Sequence, residues 1–396
     1  MPKNVSSPFS PGQPVPLEFF VGRMQEIEQL RSRMKTAQSG RLQVAFLSGE
    51  RGIGKSSLAM FVRFFVERTD NVLGLHAFLG GVSSLDEMVR RVFDRLVKDS
   101  IGRRWHQKVK DFLGNRVRQV GLFGISVEFD AQSQDLRRLV SDFAPALRNL
   151  ARSMKDECNG MLLILDDING LVETADFANW LKSLVDEIAT SREPLPLFLL
   201  LVGLEERRAA LVNSQPSLAR VFDLVDLKAW SDEETRDFYK NAFQKVGTTV
   251  DEGARGALAN FAGGLPVLAH EIGDAVFAVD TDNHITTLDA MLGITQAADI
   301  VGRKYLHPSV FEAIRSPRYR AILRKMTGRY SFRRAGMLTL LDDTERRVSD
   351  NFLRKMVKLG VLIRDAEKGA GHYHFANLLH YLYFQMEATG ARRASS

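Results

Sequence analysis

The sequence predicts an α/β fold: a mostly parallel sheet flanked by helices, then an all-helical segment, then a module of three helices and a hairpin. Three observations predict it. Short apolar runs alternate with amphipathic stretches from about residue 23 to 227, the grammar of βαβ units. The pattern then turns helical to about residue 300. Beyond that point, three helical stretches precede two short strand-like runs, Val361–Arg364 and His372–Phe375, separated by a turn at Asp365–Gly371.

Taken in order, residues 1–18 hold Pro2, Pro8, Pro11, Pro14 and Pro16 among Ser, Gly and Gln, and so predict a flexible arm with little apolar surface to bury. Residues 19–229 predict the sheet domain, with helix 23–38, strand 42–48, helix 55–68, strand 72–79 and helix 84–99. In the last of these, Ser84 and Glu87 have capping-box spacing, and Leu85, Met88, Val89, Val92, Phe93 and Leu96 form one apolar face. An insertion over 101–130 carries a basic stretch, Arg103–Arg118, and then Val120–Phe129, which alternates like a short strand pair; no role follows from it. Helix 134–155, strand 161–165, helix 174–189, strand 196–202, a helix from Glu205 and strand 221–227 complete about five parallel strands. Ser231 and Glu234, a second capping box, open a helical lid subdomain over 230–305. Over 306–390, helices 309–327, 333–341 and 344–359 followed by the hairpin predict a winged-helix domain. No fixed-period repeat is present.

Composition narrows the function classes. One cysteine, Cys158, excludes a disulfide framework and multi-cysteine metal sites and fits a reducing compartment. The longest apolar run, Leu197–Leu204, is too short to span a bilayer, and no leader pattern opens the chain, so the expectation is a soluble, cytoplasmic protein with no membrane partner. His372 and His374, the closest histidine pair, alternate with Tyr373 as on an ordinary strand, which gives no support to a metal hydrolase. The net charge of +6 is unevenly spread: residues 301–396 carry 19 Lys and Arg against 8 Asp and Glu, or +11, and the rest carries −5. That asymmetry points to a polyanion, with nucleic acid first among candidates, although a solvated basic face gives the same count.

The chemistry is concentrated in two motifs. Gly49-Glu50-Arg51-Gly52-Ile53-Gly54-Lys55-Ser56 fits G-x-x-x-x-G-K-[ST] and follows the strand Val44–Ser48, so its backbone N–H groups can curl around phosphates at a helix N-terminus. In this P-loop, Lys55 neutralises the β- and γ-phosphates of ATP and Ser56 ligates Mg2+. Met161–Leu165 then ends in Asp166 and Asp167, an apolar strand closing on two carboxylates, with Asp166 assigned to the metal and Asp167 to activation of the attacking water.

Phe20-Val21-Gly22-Arg23 ahead of Gly49–Ser57 resembles the AAA+ and STAND ATPases, including initiator-type origin-recognition ATPases, over roughly residues 20–300. The resemblance implies a P-loop NTPase core and lid. It also implies that Val21, Gly22 and Arg23 lie over the adenine, with Ser57 beside the phosphates. An ordinary helix start serves each of the first three equally well. Leu197–Gly203 with Glu205–Arg208, then Ser217–Phe222, resembles the fourth strand and arginine-finger region of transposition and secretion ATPases. It makes Arg220 the finger candidate, acting across a homo-oligomer interface formed on ATP binding; a solvated surface arginine is the even alternative. Two departures stand out. Val202-Gly203 replaces the family's polar sensor at the end of the fourth strand, and Gly263-Gly264-Leu265-Pro266 replaces the lid's sensor arginine in a STAND-like pattern, where Gly264 and Pro266 contact the nucleotide. His270, one turn further, reads as a packed histidine before it reads as a phosphate sensor. The missing sensors favour slow turnover to ADP.

In the winged helix, Thr344–Leu359 would enter the major groove of duplex DNA with Arg346, Arg347, Asn351, Arg354, Lys355 and Lys358, and Lys368 at the hairpin tip would act as a wing. The combined expectation is a slow ATP-driven, DNA-associated switch in replication initiation, a mobile element or defence. The rival is a STAND-type signalling scaffold governed by a protein partner without DNA. A small-molecule kinase finds no acceptor pocket in the lid or winged helix.

Overall fold

The computed structural model describes residues 6–13, 20, 22–114, 117–120, 126–129 and 131–393. Two compact units emerge, one spanning Gly22–Lys228 and the other taking the N-terminal segment together with the chain from Ala229 onward.

In the first unit, β1 (Gln43–Gly49), β2 (Leu73–Phe78), β5 (Met161–Asp166), β6 (Leu197–Val202) and β7 (Asp223–Leu227) form one parallel sheet in the order β2-β5-β6-β1-β7. All five strands expected from the sequence are present. β5 and β6 are buried along their whole length, because helices cover both faces; this is why they read as unbroken apolar runs. The flanking helices are α1 (Met24–Gln38), α2 (Lys55–Thr69), α3 (Leu85–Ser100), α4 (His106–Leu113), α5 (Ser133–Ser141), α6 (Phe143–Ser153), α7 (Ala175–Thr190) and α8 (Glu205–Ser214). With β1 inside the sheet and running straight into α2, the glycine loop emerges at the carboxyl edge. There β5 also ends, one strand away.

Local details depart from the sequence pattern for identifiable reasons. The single helix expected over 134–155 is broken between α5 and α6, and Pro145 in the first turn of α6 has no N–H to offer Ser141 in a continuous helix. At the start of α3 only half of a capping box forms. Ser84 Oγ accepts the Glu87 N–H at 3.3 Å, while the Glu87 carboxylate turns to Arg90 and Arg91. The 101–130 insertion contains α4 and the antiparallel hairpin β3 (Val117–Val120) and β4 (Ser126–Phe129). Val109, Leu113 and Phe129 are buried with Phe93 and Leu96 of α3, so the insertion extends the core of this unit.

The second unit opens with α9 (Asp232–Lys245), capped reciprocally by Ser231 and Glu234, followed by α10 (Glu252–Ala262), α11 (Pro266–Val279) and α12 (Thr287–Val301). A two-residue parallel pair, β8 (Thr249–Val250) and β9 (His284–Ile285), ties their loops. The chain continues through α13 (Pro317–Met326), β10 (Ser331–Arg333), α14 (Arg334–Leu338), α15 (Asp343–Arg346), α16 (Ser349–Lys358), β11 (Leu362–Arg364), β12 (His372–Phe375) and α17 (Leu378–Arg393). β10, β12 and β11 form an antiparallel sheet in that order.

Three expectations change here. The helix expected over 309–327 is instead a wide π-type stretch, Gly302–Phe311, containing Pro308, and a new helix that starts with Pro317 at its first position. The recognition helix expected over 344–359 is two pieces, α15 and α16, divided at Arg347 and Val348. The arm is not free where it is described. Phe9 is 5% exposed, its ring 5.0 Å from that of Phe243 and 5.8 Å from that of Phe238, and it fills the space left by Gly273, whose added Cβ would lie 2.4 Å from the Phe9 ring. One aromatic ring, worth about 2–3 kcal/mol of burial, holds a proline-rich segment that composition alone leaves loose. Lid and C-terminal helices also share one core, since α17 packs on α10 and α12 and places Tyr383 over Gly302. No described helix is long and apolar enough to cross a membrane.

Candidate nucleotide site

Backbone geometry builds the phosphate cradle. Gly49 has φ 143°, and a Cβ there would sit 2.9 Å from the Leu227 carbonyl oxygen of β7; Gly54, at φ 94°, is the N-cap of α2. Neither position accepts a side chain without strain, and together they aim the N-terminus of α2 into the loop. Ile53 is buried and anchors the loop, whereas Glu50, Arg51 and Gly52 are exposed and Gly54, Lys55, Ser56 and Ser57 half-buried.

Lys55 Nζ donates to the carbonyls of Gly49 at 2.8 Å and Glu50 at 2.7 Å, so the ammonium is folded over the cradle. Burial draws its pKa below the ordinary lysine value, and the Asp166 and Asp167 carboxylates oppose that shift. The cation and the two acids therefore share one locality.

Backbone hydrogen bonds gather the strand ends: Leu79 N–H to Asp166 O at 2.7 Å, Asp167 N–H to Val202 O at 3.0 Å and Gly203 N–H to Leu47 O at 3.2 Å. Asp166 is buried, and its Oδ2 lies 2.9 Å from His76 Nε2 on β2. The β2–β5 register sets Phe78 opposite Asp166, which makes His76 its diagonal neighbour on the same face. Asp167 is exposed and left-handed, φ 61°, and Asn169 Nδ2 donates to its Oδ1. One acid is thus held still inside and the other presented outside. The glycine cradle, the adjacent Ser56 and the fixed Asp166 carboxylate fit a Mg2+-nucleotide, with Ser56 and Asp166 as the chain's own oxygen donors.

Other expected site residues fall as follows. Val21 lies outside the described residues. Gly22 is half-buried with φ 75°, and Arg23 is buried with its guanidinium on Lys228 O at 2.7 Å and Glu26 at 3.3 Å, so that side chain clamps α1 to the end of β7. Arg220 is exposed at the end of the 3-10 turn Pro216–Arg220, with no ion pair among the described residues. In the second unit, Gly264 (φ 71°) accepts the Trp230 N–H at 2.9 Å, and an added Cβ would lie 2.2 Å from Trp230 O; Pro266 is buried at the start of α11. His270 Nδ1 accepts the Ser10 N–H at 3.1 Å, and burial lowers its pKa to about 4.

Of the expected DNA-facing side chains, Arg346, Arg347, Asn351, Arg354, Lys358 and Lys368 are exposed and Lys355 is half-buried. Several are engaged locally: Arg346 with Asp343 and the Leu338 carbonyl, Arg354 with Asn351, Lys368 with Asp365. Arg347, Lys355 and Lys358 make no ion pair among the described residues.

The family described as the AAA ATPase domain matches residues 20–202, a stretch holding the glycine loop, His76, both acids and Asn169. That segment is an AAA ATPase domain. β7, Arg220 and the whole second unit lie beyond the AAA match. No curated protein matches the chain. Among solved structures, the chain resembles a Walker-type ATPase of Pyrococcus abyssi at 16% identity, covering 92% of this chain and 96% of that one, with a TM-score of 0.56. It also resembles the Aeropyrum pernix ORC2 protein in its ADPNP–ADP complexes at 13% identity, covering 99% and 97%, with a TM-score of 0.58. At such identities the likeness is one of fold, and it extends past the AAA domain through the second unit.

Sequence reasoning missed His76 and Asn169. His76 was detectable in principle, as a polar residue two places before the end of an apolar strand. Asn169 carries no comparable signal in the sequence.

Proposed function

We propose that the protein is a slow ATP-driven switch whose AAA domain binds and hydrolyses ATP and whose C-terminal residues 306–390 engage duplex DNA. The observation that carries the first half is Lys55 folded over a glycine cradle beside one buried and one exposed aspartate. On nucleotide arrival, Lys55 exchanges its two carbonyl partners for phosphate oxygens. Mg2+, when bound, neutralises charge on those oxygens. Asp166, kept from turning by His76, offers an oxygen on the metal side, and Asp167, on the open side, accepts the proton of the attacking water. Gly203 stands where a polar strand-end residue would touch the phosphate, which supports slow turnover.

The DNA half rests on charge and on element order. Helix, strand, a short helix, a helix divided into α15 and α16, strand, turn and strand, with the β10-β12-β11 sheet, is the order of a winged helix, and residues 301–396 carry the +11 excess. Arg347, Lys355 and Lys358 would meet phosphates, and Arg220 would act in a neighbouring copy of an ATP-bound oligomer. A second reading has its own support. Because Arg346, Arg354 and Lys368 are already engaged within the chain, the same surface also suits a signalling scaffold that meets a protein partner.

Steady-state ATP hydrolysis, with and without duplex DNA across a salt series, tests both. DNA stimulation that salt abolishes, together with turnover lost in Lys55→Ala and Asp167→Ala, supports the DNA-linked switch. Hydrolysis indifferent to DNA at low salt rejects it in favour of the scaffold.

A further inference from the structure

β6 ends without a polar side chain. After Val202 comes Gly203, and the atoms a Cβ there would meet are the Phe46 ring at 3.2 Å, Ile168 Cγ1 at 3.4 Å and Asn169 Oδ1 at 3.8 Å. The space beside the strand end is therefore filled by Phe46 and Ile168, with the carboxamide of Asn169, from the turn after β5, lying next to them. That carboxamide has two ends with different fates. Its Nδ2 donates to Asp167 Oδ1, whereas its Oδ1 is shielded from solvent and accepts from no protein donor among the described residues.

The turn carrying Asn169 is held from several sides. Ile168 is buried, Leu171 N–H bonds to Ile168 O at 3.0 Å, and Gly170 packs so close to Val82 that an added Cβ would lie 2.4 Å from its carbonyl oxygen. Asp167, by contrast, is exposed, and a Cβ added at Gly80 would lie 3.1 Å from its Oδ2. Among the described residues, Asn169 is the one side chain that donates to the Asp167 carboxylate.

We propose that Asn169 is a positioning residue for ATP hydrolysis: from beside the bare strand end at Gly203 it fixes the Asp167 carboxylate in one orientation. The inference rests on the reading of Asp167 as the base. A carboxylate on an exposed, left-handed residue samples several rotamers, and a base that points correctly for only part of the time loses rate in proportion.

The test measures turnover and nucleotide affinity for the native chain, Asp167→Ala, Asn169→Ala, Asn169→Asp and the Asp167→Ala/Asn169→Ala pair. Asn169→Ala should cut turnover by about tenfold and leave ADP affinity and the thermal midpoint nearly unchanged. Asn169→Asp, equal in size but unable to donate, should be at least as slow. In the Asp167→Ala background the second substitution should cost nothing further. Placing an amide on the strand end, Gly203→Asn with Asn169→Ala, should recover part of the rate. Turnover that survives Asn169→Asp, or losses that multiply in the double variant, overturn the proposal while leaving the ATPase reading intact. A native chain that does not hydrolyse ATP overturns both.

Discussion

The two units of this chain place their charges in opposite ways. In the AAA unit the charges that matter are turned inward and held: Asp166 by His76, Arg23 by Lys228 O and Glu26, Arg63 by Glu67 and Asp99. Within the second unit, residues 301–396 carry an excess of +11 at largely exposed positions, partly answered by neighbouring acids. Inward charges fix a geometry and so speak to one chemistry. Outward charges set an attraction, which many partners can satisfy, and this is why the nucleotide reading is sharp and the DNA reading broad.

The contrast can be broken in four places. The largest effect belongs to the inward side: Lys55→Ala and Asp167→Ala should each lower ATP turnover by about 10³-fold, read by phosphate release, and a surviving rate would detach hydrolysis from this site. Next comes the aromatic anchor of the second unit. Phe9→Ala should destabilise that unit by about 3 kcal/mol, measured as a lowered urea midpoint, because it empties the space between Phe238, Phe243 and Gly273. An unchanged midpoint would mean that the N-terminal segment is not seated in solution.

A smaller effect follows from His270. Its folded pKa is about 4, against about 6.5 in an unfolded chain, so the unfolded state takes up the proton first as pH falls. The stability it contributes is complete above pH 6.5 and declines toward pH 4, by about 2 kcal/mol between pH 7 and 5. His270→Asn should flatten that part of the stability profile. The smallest expected effect lies on the outward side: replacing Arg347, Lys355 and Lys358 together by Ala should weaken DNA binding about tenfold at moderate salt and reduce the log–log salt slope by about 2–3. Unaltered affinity and slope would favour the protein-partner reading.

Much of the AAA unit was legible because its motifs are local. Gly49 and Gly54 announce a backbone path that other residues cannot follow, and Met161–Asp166 announces a strand covered on both faces. What the sequence hides are pairings across long separations. His76 meets Asp166 ninety positions later, Asn169 comes to lie beside Gly203, and Phe9 finds its seat on helices beyond residue 230. Composition described the first eighteen residues correctly as poor in apolar surface, yet one ring suffices to seat such a segment when a glycine on the other side leaves the hole. The break in the helix expected over 344–359 was hidden for a related reason: Val348 continues the apolar pattern, and only the observed turn between α15 and α16 reveals it.

The seat of Phe9 also has a meaning in time. A growing polypeptide releases residue 9 long before residues 238–273, so the AAA unit can close while that ring still has nowhere to go. The second unit therefore completes its core only when residue 9 closes onto helices more than two hundred positions later, a non-local contact of the kind that forms after local ones.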